Sequence, residues 1–119
     1  MSVERQVEEL VELLIQGTEN RSLQWQATAD ENAFRLTSAT GNVRISRSEV
    51  FDQEQMDYFT ARSLCILNDK GRVVEERSPQ LGAESQRFDD LFVLARRSAH
   101  QTQDVLEKIM RELRSKVPQ

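Results

Sequence analysis

The sequence predicts an α+β fold, an antiparallel β-meander of four or five strands packed by an N-terminal helix and a long C-terminal helix, with residues 1–119 forming a single domain. Three patterns predict it. Apolar residues alternate at Phe34 and Leu36 and again at Val43 and Ile45. Val3, Val7, Leu10, Val11 and Leu14 recur at helical spacing near the start. Phe88, Phe92, Ala95, Ala99, Thr102, Leu106, Ile109 and Leu113 step alternately by four and three residues near the end.

The first helix has Ser2 as its cap and Gly17 placed to end it. Glu4, Glu8 and Glu12 stand four apart along one ridge, so they repel unless something basic lies alongside. Leu23, Trp25 and Ala27 then alternate with polar residues as a first strand, with Trp25 expected to plug the edge of the core. Asp30, Glu31 and Asn32 supply turn chemistry. The next two strands flank the Ala39-Thr40-Gly41-Asn42 turn, and their outward face carries Arg35 and Arg44, with Arg47 just beyond.

Ser48 to Asp57 is acidic and weakly periodic, which predicts a loop or a short helical turn. Tyr58 to Leu67 reads as a central strand, and Asn68-Asp69-Lys70-Gly71 as the hairpin loop leading to a strand over Arg72 to Glu76. Ser78 to Ser85, with Pro79 and Gly82, gives the chain room to cross the sheet. Ser85 is the expected cap of a helix over residues 86–116, roughly 45 Å long at 1.5 Å per residue. Ala95, Ser98, Ala99 and Thr102 form a small-residue waist in it. Asp104 with Lys108, Glu107 with Arg111 and Glu112 with Lys116 are acid-before-base pairs four apart, which support a solvated helix projecting past the sheet.

Composition excludes several classes of function. The formal net charge is −4, which argues against nonspecific nucleic-acid or membrane binding, since both need a clustered positive field. The charge is uneven: residues 1–20 carry one base and five acids, and residues 77–119 carry eight bases and six acids, so the first helix can lie along the last. One cysteine forms no internal disulfide, and the start lacks a charged segment followed by an apolar one, so the expected compartment is a reducing cytosol. No stretch approaches the roughly 20 apolar residues that span a bilayer.

Catalytic and metal motifs are missing as well. There is no Gly-rich phosphate loop, no zinc-spaced Cys/His set and no HExxH. Glu49, Asp52, Glu54 and Asp57 lack the central Gly of a calcium loop. Cys65 has no flanking base and reads as a buried small hydrophobe, and His100 as a rim histidine beside the seam. No cofactor and no metal site is expected, and an enzyme built from Cys65 and His100 is the weakest of three functional readings.

The tryptophan strand, the Gly-turn hairpin, Asn68-Asp69-Lys70-Gly71 and the Leu-Phe-Val-Leu-Ala-Arg-Arg run from Leu91 to Arg97 together resemble a pattern seen in small uncharacterised bacterial proteins. The resemblance covers most of the chain. It implies the order of elements and a bacterial, cytoplasmic setting, and it supplies no site.

The expected function is that of a non-catalytic protein–protein interaction or regulatory module. Leu106, Ile109, Met110 and Leu113 form an apolar stripe flanked by charge, the expected interface of a homodimer. The alternative is a small-ligand or anion-binding domain that uses the Arg35 and Arg44 sheet face.

Overall fold

The computed structural model describes residues 2–79 and 82–118. Its elements run in the order α1 (Val3–Glu19), β1 (Gln26–Ala27), β2 (Ala33–Thr37), β3 (Gly41–Asp52), β4 (Asp57–Asn68), β5 (Val73–Arg77), α2 (Gly82–Ala99) and α3 (Thr102–Lys116). The five strands form one antiparallel sheet in sequence order, so the fold is the expected α+β meander.

Cross-strand register brings the alternating apolar residues into rows. Phe34 stands opposite Ile45, and Ile45 opposite Leu64; Leu36, Val43 and Ile66 form the next row. α2 covers this face of the sheet, and α1 packs against α2. α2 presents Phe88, Leu91, Phe92 and Ala95, each no more than 1% exposed, and the Phe92 ring lies 5.5 Å from that of Phe34. α1 packs beside α2 and buries Val7, Val11, Leu14 and Ile15, a stripe spaced by four, three and one. The expected charge match is present here, since Arg87 of α2 donates three hydrogen bonds of 2.6–3.1 Å to the Glu12 carboxylate of α1.

Trp25 locks the two helices to the sheet edge. Its ring is buried, and its indole N–H donates to Thr18 Oγ1 at 2.9 Å. The Thr18 hydroxyl in turn donates to the Leu14 carbonyl at 2.6 Å, so a polar atom inside the core is satisfied within α1. The Trp25 backbone N–H donates to Ser98 Oγ of α2 at 3.0 Å.

The first strand, expected over Leu23, Trp25 and Ala27, shortens to Gln26–Ala27 and leaves Leu23 and Trp25 ahead of it, and four further boundaries differ from expectation, each for a local reason. α1 runs through Gly17 to Glu19, because the Leu23 side chain folds over Gly17 where a Cβ would stand. α2 begins at Gly82, so Ser85 lies inside its first turn; Gln80 and Leu81 of the expected crossover lie outside the described residues. The predicted loop over Ser48 to Asp57 is mostly strand: β3 and β4 continue as a two-stranded arm in which Val50 faces Phe59 and Phe51 faces Tyr58. Asp52 Oδ1 accepts the Glu54 and Gln55 N–H groups at the tip, and Met56 takes a left-handed turn with φ 53°. Those aromatic and β-branched pairs join across the strands, which periodicity within one segment does not register.

The fourth difference is the largest: one long C-terminal helix is expected and two shorter ones are present. The Ser98 carbonyl accepts from the Gln24 side chain at 2.7 Å and from the Gln101 N–H at 3.1 Å, and so is diverted from helical continuation. Gln101 turns left-handed at φ 52° and ψ 40°. The seam holds only Ala99 and Thr102 across this joint, too little apolar surface to keep it straight.

Two outcomes check this packing. Phe34→Ala lowers unfolding free energy by about 3–5 kcal/mol in urea titration, as for a fully buried aromatic; an unchanged midpoint would mean that Phe34 is not core. Arg77 grips Glu84 across the β5–α2 junction, with its Nη2 donating at 2.9 Å, and this bond holds the Glu84 carboxyl below its ordinary 4.5. The pair's contribution is therefore present above the unfolded carboxyl value and fades as pH falls through the lower folded one. Arg77→Gln costs up to about 1 kcal/mol near neutral pH and nothing in strong acid; a difference that grows on acidification would contradict the pairing.

Candidate functional site

α3 is amphipathic and uncovered. None of its residues is buried, and Val105, Leu106, Ile109, Met110 and Leu113, with Val117 just beyond, are 46–58% exposed. Leu106, Ile109, Met110 and Leu113 are thus brought together on one helix, and the stripe is longer than the sequence reading by Val105 at one end and Val117 at the other.

The N-terminal end of α3 is tethered. Arg21 reaches Asp104 at 3.5 Å, a loose contact between two half-exposed groups. Leu106 joins Leu23 and Leu94 in the wall of a groove of about 640 Å³ between α1, α2 and α3, with Glu19, Arg97 and Asp104 at its margin. Of the expected acid–base pairs, Glu112 and Lys116 meet at 3.0 Å, whereas Asp104 turns to Arg21. Sequence reading missed this groove because Leu23 and Leu94 lie 71 positions apart and meet only in the fold.

The second surface is the face of the sheet turned away from the helices. Register sets Gln26, Arg35, Arg44, Cys65 and Glu76 in one row across five strands. Arg35 and Arg44 are exposed and directly opposite, a like-charge pairing that costs rather than adds stability. Arg47 does not join them. It shares the helix-facing side of β3 with Ile45, and its guanidinium sits 4.7 Å from the Phe92 ring centre.

Cys65 is buried within this row, and burial, followed by the nearby Glu76 carboxylate, pushes its thiol up, while Arg44 pulls weakly the other way. That environment suits an inert thiol. His100 lies at the opposite face, its ring edge-on to Phe34 at 5.6 Å, so the sheet separates the two residues from which an enzyme could be drawn.

The acidic run is occupied with local bonding. Glu49 accepts from Thr60, Asp52 holds the arm's turn, and Asp57 accepts the Tyr58 N–H. Among the described residues no three Asp, Glu, His or Cys side chains gather as a metal site, and no helix is long and apolar enough to cross a membrane.

Alkylation of Cys65 by iodoacetamide at mildly alkaline pH runs slower in the native protein than after denaturation, and Glu76→Gln speeds the native reaction; equal native and denatured rates would contradict the burial. No protein-family model, curated protein or solved structure matches the chain.

Proposed function

We propose that this chain is a non-catalytic protein–protein interaction module of the bacterial cytoplasm that works through α3. The observation that carries the reading is the exposure of five large apolar side chains along one short helix with no buried residue of its own, with Val117 just beyond. An isolated helix of about 15 residues is marginal in water, because most helical stability in proteins comes from packing an apolar face. α3 therefore gains order from whatever covers its stripe. The rest of the domain has its core without it, since among the described residues every fully buried large side chain lies before Gln101.

A second reading, anion binding at the open sheet face, rests on the adjacency of Arg35 and Arg44. Glu76 stands in the same row and places a carboxylate beside the two arginines.

Placing a photo-crosslinking residue at position 109 and, separately, at position 44 separates the readings. The module reading expects protein adducts from position 109 and none from position 44. Absence of adducts from position 109 would overturn it. Saturable, salt-sensitive binding of a nucleotide or oligonucleotide, lost in the Arg35→Gln/Arg44→Gln double variant, would establish the second reading instead.

A further inference from the structure

We propose that the partner of α3 is α3 of a second copy of this chain, packed antiparallel about a two-fold axis close to Arg111; the proposal rests on the reading of α3 as an interaction helix. Charge is ordered along a uniform apolar stripe. From Thr102 to Glu107 the helix carries two acids, Asp104 and Glu107, and no base; from Lys108 to Lys116 it carries four bases and one acid. Such a helix is complementary to its own reverse. Antiparallel pairing also sets the two helix dipoles head to tail, whereas parallel pairing sets acidic half against acidic half and basic half against basic half.

Side-chain phase gives the register. At 100° per residue, Leu106, Met110 and Leu113 fall within one narrow face of α3, and Val117, the residue that ends the helix, stands four further on at the end of that row. Antiparallel packing of that seam sets Leu106 against the partner's Val117 and Met110 against the partner's Leu113. Glu107 and Arg114 then flank the same side of the seam, seven residues apart. Across the two-fold axis Glu107 meets the partner's Arg114, and Arg114 meets the partner's Glu107, so two identical ion pairs close the interface. The other side of the seam is extended by Ile109.

The fold supplies a receptor for the end of the incoming helix. Leu106, which opposes the partner's Val117, lines the 640 Å³ groove with Leu23 and Leu94. Glu19 and Asp104 line that groove together with Arg21 and Arg97, so what it offers the second α3 is the apolar wall of Leu23, Leu94 and Leu106 rather than net charge. α3 alone is roughly 22 Å long, so a pair of bare helices is a small contact, and the groove adds area toward the roughly 800 Å² per partner of a stable interface.

Sedimentation of the full chain at tens of micromolar, with circular dichroism to confirm the fold of each variant, tests the proposal. The native chain sediments as a dimer, and Ile109→Glu as a monomer with its fold retained. Glu107→Arg and Arg114→Glu each weaken dimerisation by about tenfold or more, because each places two like-charge pairs at the seam. The Glu107→Arg/Arg114→Glu double variant recovers the native association to within about threefold, by reversing both pairs. A native monomer would overturn the second copy as partner, and a dimer that survives Ile109→Glu would overturn α3 as its site. Single reversals without effect, or a double variant that stays weak, would overturn the antiparallel register. Crosslinked adducts from position 109 to a different protein, seen beside a monomeric native chain, would leave the interaction reading standing while removing this proposal.

Discussion

The packing of α2 on the Phe34–Ile45–Leu64 row is the constraint on which the remaining structure depends. Phe88, Leu91, Phe92 and Ala95 are essentially without solvent contact, and they fix the height and direction of α2 over the sheet. α1 then has one place to go, the flank of α2, where its apolar stripe completes the core and its acidic ridge meets Arg87. Trp25 closes the remaining edge with its indole bonded to Thr18 and its backbone bonded to Ser98.

Ser98 stands where this packed region ends. Its hydroxyl accepts from Trp25 and its carbonyl from Gln24, so the strand leading into the sheet is held by the last turn of α2. The same bonds stop α2 and release the chain at Gln101. A single position thus completes the core and starts the helix that lies outside it. This division explains how an apolar stripe can be exposed without loosening the domain: α3 contributes no buried side chain, and the core loses nothing when α3 is uncovered.

Much of the fold was legible in the sequence because the decisive signals are local. Period-two alternation at Phe34, Leu36, Val43 and Ile45 reports a strand's faces directly, and the recurrence from Val3 to Leu14 reports a helix. What escaped depends on contacts between distant residues. The β3–β4 arm looked like a loop because the pairing of Phe51 with Tyr58 is invisible within either segment. The break at Gln101 was hidden behind an unbroken four-three spacing, and it arises from Gln24, far away in sequence. The apolar residues of the candidate site form a stripe visible in the sequence, whereas its groove, made by Leu23 and Leu94 with Leu106, exists only once α2 and α3 meet the loop that follows α1.

α3 adds no buried side chain to the core, and under the proposed interaction role it owes its order to what covers it. Native-state hydrogen exchange on the full chain, followed by mass spectrometry over a range of protein concentration, tests this most directly. The expected result is that amides of β3, β4 and α2 exchange only through global unfolding, while those of α3 exchange through local opening at high dilution and gain protection as concentration rises. Protection of α3 at high dilution equal to that of α2 would contradict it.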